Sequence, residues 1–434
     1  MKNGPRTMLA LRNIITATGG IQKQVRSALF GVALSIIPLI VVLQVSDGMI
    51  EGITSRFIEL GTYHIQAVPI GSMTPEQIQG NINRIAETEG VRSVFQELQG
   101  IGLVYSENGR SGTTIRALPP DVYHQDASFQ EYLDFQNGSF NIQQPNTAVI
   151  GTQIARALDV ETGDSIRILT AKTMSGGRVI PRVTTVEITG VFSAGYRELD
   201  SLWTIINLEK GEQILRGTSY RRIIGIKTDS PFEGLDQVMI NIRQRVSPVF
   251  SLYTWYELER SQYQSFQTTK NLLIFIMLLI VIVASVNISS TCYMMVLEKQ
   301  DEIAILKTMG AKSKDITIIF MLSGIIIGAV GLFGGLILGL LLSVNINVII
   351  HAIESGINAG SAFLYMLQTP FIEGQTQRLE LFNPAYYLDE IPIKLDFLEV
   401  YLSSVFVLFI SCTAAIFPAV KAGKITPIEL LRKH

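Results

Sequence analysis

The chain has 434 residues, a formal net charge of −2, 47% hydrophobic residues and only 17% charged residues. This length exceeds a single hydrophobic core, so at least two domains are expected. The near-neutral charge argues against a basic surface for nucleic acid, and the apolar excess indicates membrane spans. Two cysteines in apolar runs and four scattered histidines give no pattern of a disulfide framework or a metal site.

Four stretches without any charged residue are long enough to cross a bilayer. They are residues 27–46, 271–297, 316–350 and 400–420. About 20 apolar residues are needed, because the hydrocarbon core is roughly 30 Å thick and a helix rises about 1.5 Å per residue. The third stretch is longer than a span requires, so we expect its helix to continue outside the membrane as a further helix or loop.

Basic residues predict that both ends of the chain face the cytoplasm. Segment 1–26 contains five Lys or Arg and no acidic residue, and the tail 421–434 contains four Lys or Arg against one Glu. With four spans, segments 47–270 and 351–399 then lie outside and segment 298–315 lies inside. The first span lacks a clear A-x-A cleavage site, so we interpret it as an uncleaved anchor.

The outside segment 47–270, inserted between the first and second spans, mixes short strand-like and helix-like runs, which predicts an α+β domain. We expect a core subdomain of residues 48–118 and 220–256 with a β-rich insert of residues 119–219. In the insert, Thr170–Arg182 contains Ser-Gly-Gly between two strands, which favours a hairpin tip. A solvated hairpin and an edge that adds a strand to another protein both fit this pattern.

The inside loop has the pattern of a short amphipathic helix with charged residues on one face. Its apolar residues recur at spacings of three and four and are predicted to share the other face: Ile303, Leu306, Ile305 and Met309. Gly310 would end this helix, Ser313 would cap the next one, and Asp315 would lie in its first turn. Both a docking helix and a helix at the lipid headgroups fit.

The third span carries glycines at four-residue spacing, which lets helix backbones approach closely in lipid. The small-xxx-small steps are Gly324 to Gly328, Gly331 to Gly335, and Gly335 to Gly339. Packing against other spans of the same chain is favoured over a dimer face.

Neither G-x-x-x-x-G-K-[ST] nor G-x-S-x-G occurs in the chain. We therefore predict that the chain is not an enzyme and holds no cofactor itself.

Several stretches resemble known permeases. Residues 295–311, Met-Val-Leu-Glu-Lys-Gln-Asp-Glu-Ile-Ala-Ile-Leu-Lys-Thr-Met-Gly-Ala, and the tail from Phe417 to Arg432 resemble the FtsX/MacB-type permease superfamily. Three more are similar to lipoprotein-releasing permeases of the LolC/LolE type: Val45-Ser-Asp-Gly-Met, Gly151-Thr-Gln-Ile-Ala-Arg-Ala-Leu followed by Val160-Glu-Thr-Gly-Asp, and Phe382-Asn-Pro-Ala-Tyr-Tyr-Leu-Asp-Glu-Ile-Pro.

The resemblance implies a multi-pass protein of the bacterial inner membrane with a periplasmic large domain. Two permeases, as a homodimer or a LolC/LolE-type heterodimer, would work with two LolD-like ABC ATPase subunits, which bind ATP and Mg. The first and second spans would form a cavity for the acyl chains of a lipoprotein, which a LolA-like periplasmic carrier then receives. Membrane lipids complete the expected partners.

The resemblance also assigns site residues. The ATPase-coupling group is Glu298, Lys299, Glu302, Ile303, Leu306, Lys307, Met309 and Gly310. The carrier-binding hairpin is Met174, Ser175, Gly176, Gly177, Arg178, Val179 and Pro181. The substrate cavity is Leu39, Val42, Leu43, Ser46, Met49, Leu272, Phe275 and Ile276.

Two other functions stay open. A MacB-like exporter of peptides or drugs usually has a fused ATPase, and an FtsX-like signal transducer predicts an outside domain smaller than the 224 residues present here. The spans contain no charge to bind a polar cargo, which favours acyl chains.

Overall fold

The computed structural model describes residues 3–15, 21–173, 179–246, 249–368 and 391–425. The chain forms two compact units. The helical unit comprises Met1–Gly48, Phe266–Ala359 and Ile391–His434, and the α+β unit comprises Met49–Ser265 and Gly360–Glu390.

The helices are α1 Asn3–Ile14, α2 Lys23–Arg56, α3 Pro75–Ala86, α4 Val122–Gln125, α5 Ala127–Tyr132, α6 Thr152–Leu158, α7 Arg197–Leu202, α8 Leu208–Leu215, α9 Leu235–Arg245, α10 Trp255–Leu258, α11 Arg260–Glu298, α12 Gln300–Thr308, α13 Ser313–Val344, α14 Ile346–Gln368 and α15 Phe397–Lys424. The strands are β1 Ile65–Pro69, β2 Val91–Tyr105, β3 Arg110–Leu118, β4 Asp134–Gly138, β5 Thr147–Gly151, β6 Ser165–Thr173, β7 Val179–Ser193, β8 Trp203–Asn207, β9 Tyr220–Thr228 and β10 Phe250–Thr254. A π-helical turn, Phe57–Thr62, continues α2.

Four helices of the described chain are long and apolar enough to cross a membrane: α2 with its π-helical turn, α11, α13 and α15. Helices α2, α11 and α15 each contain one whole uncharged stretch, and α13 contains residues 316–344 of the third, so the predicted spans are confirmed as helices. The third stretch also divides as expected. Helix α13 ends at Val344, the backbone leaves the helical conformation at Asn345, and α14 begins at Ile346.

Glycines on α13 bring neighbouring helices into close contact. A Cβ atom added to Gly335 would lie 2.9 Å from Cβ of Ile36 on α2. One added to Gly328 would lie 2.5 Å from Cβ of Ser411 on α15. Side chains larger than hydrogen would therefore push these helices apart, and the prediction that the glycines serve packing within the chain is confirmed.

The N-terminal segment, expected only to be basic, forms helix α1 against α13. Ala10 is fully buried, and its carbonyl accepts a hydrogen bond from Ser323 Oγ at 3.2 Å. Arg6 forms an ion pair with Asp315. These tertiary contacts explain why a 12-residue helix with weak local signal is present, since short helices depend on packing.

The α+β unit is built on a ten-stranded sheet with the order β10-β1-β9-β2-β3-β8-β5-β7-β4. Strand β6 pairs with both β2 and β7, so β2, β3, β8, β5, β7 and β6 close into a ring. The pairs β3–β8 and β5–β7 are parallel. Side chains of the ring form one buried apolar cluster that includes Val104, Ile115, Ile168, Val186 and Ile206.

The ring combines strands from both expected subdomains. It takes β2 and β3 from residues 48–118 and β5 to β8 from residues 119–219, so the expected boundary runs through it. Gly102 of β2 allows the close approach, because an added Cβ would lie 2.7 Å from Cδ1 of Ile115 and 3.1 Å from the carbonyl oxygen of Leu169.

An ion pair is fully buried between β2 and β3. Arg116 Nε and Nη2 donate to the two carboxylate oxygens of Glu97 at 2.6 and 2.8 Å, and the Tyr63 hydroxyl donates to Glu97 at 2.6 Å. The guanidinium lies 4.2 Å from the ring centroid of Trp203. Burial alone would lower the pKa of Arg116, but the charge and hydrogen bonds of Glu97 raise it, so the guanidinium stays protonated.

Replacing Glu97 by Ala should destabilise the α+β unit strongly, because Arg116 is left as an uncompensated buried charge. The expected loss is about 3–5 kcal/mol, which lowers the apparent Tm of the full chain by roughly 10 °C. Intrinsic fluorescence in detergent measures this directly, since both tryptophans, Trp203 and Trp255, belong to the α+β unit.

The matched control is Glu212→Ala. Glu212 pairs with Arg222 at 3.2 Å on the surface, where such pairs contribute little. Its Tm should stay near that of the unchanged chain, and equal Tm values for the two variants would contradict the role assigned to the buried pair.

Candidate functional site

The expected coupling segment forms helix α12 in the helical unit. Ile303 is 2% exposed and packs, with half-buried Leu306, into a cluster contributed by α11, α13 and α15. Ile305 and Met309 are 59% and 79% exposed. One pair of apolar residues therefore anchors the segment, and the other pair is presented outward.

The prediction that all four apolar residues share one face is wrong. Successive residues turn by about 100° around a helix, so Ile303 and Ile305 lie roughly 160° apart. The outward side also carries Asp301 and Glu302, both exposed. Two acidic and two apolar side chains thus form what we call the docking face: Asp301, Glu302, Ile305 and Met309.

A basic side chain ties α12 to the end of α15. Lys307 Nζ donates to the carbonyl oxygens of Gly423 and Ile425 at 2.7 and 2.6 Å. The last carbonyls of a helix lack partners within it and favour a cation. Lys307 is therefore an anchor of α12, with Ile303 and Leu306, and does not extend the docking face.

Specific contacts and backbone conformations also define the segments before and after α12. Glu298 accepts a hydrogen bond from Gln24 of α2. Gly310 has φ +98°, so it ends the segment in the left-handed conformation as predicted. The predicted cap Ser313 is wrong: Lys312 precedes α13, and its N–H donates to Asp315 Oδ2 at 3.4 Å. The cap comes from the carboxylate three residues along the chain.

The expected cavity residues do not share one environment. Leu39 and Leu43 of α2 are buried in a cluster with side chains of α11 and α13. Half-buried positions are Val42, Ser46 and Met49, the last of these in the α+β unit. The exposed ones on α11 are Leu272, Phe275 and Ile276, at 58%, 61% and 41%. In this structure Leu39 and Leu43 are packing residues, and α11 presents an open apolar face.

The arms of the expected hairpin are present. Strands β6 and β7 pair antiparallel as far as Thr173 opposite Val179. The tip residues Met174, Ser175, Gly176, Gly177 and Arg178 lie outside the described residues. Pro181 is exposed on β7, and Val179, Ile180 and Val183 are 61%, 46% and 51% exposed. The arm therefore offers an apolar surface of the kind that protein partners cover.

An ionic cluster that sequence analysis missed joins three spanning helices. Lys270 Nζ of α11 bonds Asp47 of α2 and, at 2.8 Å, Glu399 Oε1 of α15. Each residue directly borders an uncharged stretch, a signal that could have been read from the sequence. One cation serves two carboxylates here, so α2 and α11 can separate at this end of their uncharged stretches only when this cluster breaks.

Lys270→Gln should loosen this end of the helical unit, because Asp47 and Glu399 then repel each other without a cation between them. The probe is a cysteine at half-buried Ser46, in a chain with Cys292→Ala and Cys412→Ala. A membrane-impermeant maleimide should label it several-fold faster in the Lys270→Gln variant.

Lys299→Gln is the control, since its pair with Glu302 lies at the surface of α12. It should leave the labelling rate of the Ser46 cysteine unchanged. An unchanged rate in the Lys270→Gln variant would contradict the role of the cluster in holding α2 and α11 together.

Comparison with known proteins covers both units. Residues 27–252 match the MacB-like periplasmic core domain, and residues 274–427 match the FtsX-like permease C-terminal segment. The chain is 25% identical over 423 residues to the lipoprotein-releasing system transmembrane protein LolC of Xylella fastidiosa, covering 94% of this chain and 93% of that protein. It is 24% identical over 415 residues to LolE of Haemophilus influenzae, covering 93% of each.

A solved structure, the periplasmic region of MacB from Actinobacillus actinomycetemcomitans, aligns with 46% of this chain and 92% of its own length, at 10% identity and a TM-score of 0.31. The resemblance to LolC/LolE-type permeases inferred from short stretches is confirmed along the whole chain. Because the first family match spans more than half of the 434 residues, the protein belongs to the family of membrane permeases with a MacB-like periplasmic core domain, joined here to an FtsX-like permease segment.

Proposed function

We propose that this chain is the permease subunit of an ATP-driven (ABC) transporter that extracts lipoproteins from the inner membrane and passes them to a periplasmic carrier. The observation that carries the proposal is the similarity to LolC and LolE over 93–94% of the chain, through both units. An exporter of peptides or drugs and a signal transducer would share the family but give no reason for this similarity along the full length.

The apolar face of α11 supports an acyl cargo. Phe275, Val283 and Val286 are 61%, 64% and 61% exposed, and the stretch 271–297 carries no charge. An acyl chain that moves from lipid onto such a face exchanges one apolar environment for another and leaves no polar group unpaired. The cluster of Lys270 at one end of this face then controls how far α2 and α11 separate around the cargo.

The docking face of α12 supports a separate ATPase. No phosphate-binding motif occurs in the chain, so a powered cycle requires a partner that binds ATP and Mg. Asp301 and Glu302 flank the exposed Ile305 and Met309, a combination of apolar centre and charged border common in protein interfaces. We infer two LolD-like ATPase subunits and a second permease, the same chain or a sister chain.

The topology follows from this arrangement. The ATPase is cytoplasmic, so α12 and both chain ends face the cytoplasm and the α+β unit is periplasmic, in agreement with the basic residues of segment 1–26. The hairpin formed by β6 and β7 then receives a LolA-like carrier on its tip, residues 174–178, together with the exposed apolar residues of the arm.

Ile305→Asp combined with Met309→Asp should abolish co-purification of the ATPase, because two carboxylates would be buried without partners at the interface. The measurement is the molar ratio of ATPase to permease after purification in detergent. Met8→Asp on α1 is the matched control, since Met8 is 74% exposed and Met309 is 79% exposed. A ratio unchanged by the double variant would exclude the docking face.

Replacement of residues 174–178 by Asn-Gly should abolish carrier binding while keeping the paired arms, because Asn-Gly closes a two-residue hairpin turn. Photo-crosslinking from position 183 to a purified carrier measures the loss, and ATPase co-purification serves as the control for folding. Crosslinking at the original yield would show that the tip takes no part in carrier binding.

A further inference from the structure

Helix α14 carries an isoleucine stripe that none of the functions above uses. Its isoleucines recur at i, i+3, i+4, i+7 and i+11, which places them on one helix face: Ile346, Ile349, Ile350, Ile353 and Ile357. Ile353 and Ile357 are 49% and 41% exposed, and the other three are half-buried. The two exposed residues therefore belong to a regular apolar stripe and are not isolated apolar residues on a polar surface.

A polar stripe runs along another face of α14, at Asn347, His351, Glu354 and Asn358. Asn347 exchanges two hydrogen bonds with the backbone of Ile391, at 3.2 and 3.1 Å, and His351 Nδ1 lies 3.3 Å from Glu354 Oε2. Three of these four residues are half-buried. Most of the polar stripe is therefore half-buried, while Ile353 and Ile357 at the end of the isoleucine stripe are exposed, which is not the pattern of a helix whose polar side faces water.

Contacts between α2 and α13 place the start of α14 at the end of the spans. Gly335 lies against Ala33 and Ile36, and Gly339 lies against Ile37 and Ile40, so α2 and α13 run in the same direction. If the same difference in residue number is continued, residue 347 lies at the same height along the helix axes as residue 48.

Contacts further along α2 agree with this height for the start of α14. Gly48 lies against the carbonyl of Pro392, whose neighbour Ile391 bonds Asn347. Asp47, the first charge after the first uncharged stretch, therefore marks the level at which α14 begins.

We propose that α14 is an interfacial membrane helix whose isoleucine stripe lies on the acyl chains of the leaflet at this end of the spans. Two observations select lipid over a second protein. The last turn of α13, directly before the stripe in the sequence, is itself apolar and exposed, since Leu341 and Val344 are each 57% exposed. The uncharged stretch also runs unbroken from Ile316 to Ile350, across the end of α13 into α14.

The proposal depends only on the four spanning helices of this chain and does not rest on lipoprotein release. It assigns α14 the task of holding the start of the long segment 351–399 at the bilayer surface.

Site-directed spin labelling tests the proposal. Single cysteines at Ile353 and Ile357 carry a nitroxide, in the full chain with Cys292→Ala and Cys412→Ala, reconstituted in phosphatidylcholine–phosphatidylglycerol nanodiscs. Ser355 is the matched control, because it is exposed and lies on the opposite face of the same helix. A label at Leu341 provides the lipid reference. Power saturation measures collisions with oxygen, which concentrates in lipid, and with a nickel chelate, which stays in water.

The ratio of oxygen to nickel accessibility should be several-fold higher at 353 and 357 than at 355 and should approach the value at 341. A high nickel accessibility at 353 and 357 would place the stripe in water and overturn the proposal. Low accessibility to both reagents would show that the stripe packs against protein, a second copy or another subunit, and would overturn it equally. Co-purification of the ATPase with the unlabelled Ile353→Cys and Ile357→Cys chains is the control for correct folding. Neither substitution should change it.

Discussion

The close approach of helices at the glycines of α13 sets the geometry of the helical unit. Gly328 admits Ser411 of α15, and Gly335 admits Ile36 of α2, at distances that a methyl group would prevent. Lipid chains are as apolar as the side chains they would replace, so close packing takes over the role that the hydrophobic effect plays in water. The position of α2 beside α13 then places Asp47, at the end of the first uncharged stretch, level with the start of α14.

Helix α15 connects two polar contacts at opposite ends of this packed unit. Lys307 of α12 binds its last carbonyls, and Lys270 of α11 binds Glu399 in its first turn. The ionic cluster of Lys270 lies at the other end of the same helix. In the proposed transporter, α15 would connect an ATPase bound to α12 with Asp47 of α2 and Lys270 of α11.

A different interaction lies at the centre of the α+β unit. The buried pair of Glu97 and Arg116, with Tyr63 as a third partner, joins β2, which borders both the open part of the sheet and the closed ring, to the ring strand β3. Burial and the neighbouring Glu97 raise the pKa of Tyr63, so its hydroxyl remains a neutral donor to the carboxylate. Such a network costs desolvation and is tolerable only because most of its polar atoms are bonded.

Local sequence was sufficient to predict those features of the structure whose physical cause is itself local. Absence of charge over about 20 residues located the four spans, because bilayer thickness alone sets that requirement. Gly310 ended the α12 segment since only a residue without Cβ adopts its φ freely. Strands β5 and β8 give no alternating signal in the sequence because each is buried on both faces. Helix α1 escaped because packing on α13, and not its own pattern, stabilises it.

Only the tertiary structure decided which residues meet. Periodicity placed Ile303 and Ile305 in one short helix, but which of them is buried depends on the neighbouring helices that α12 packs against. Asp47, Lys270 and Glu399 are 223 and 129 residues apart along the chain, and no local pattern pairs them. The sequence by itself determined the number and length of the spans, since the solvent imposes them. The docking face, the ionic cluster and the exposure of the isoleucine stripe on α14 came from packing, because contacts between distant residues determine which faces remain exposed.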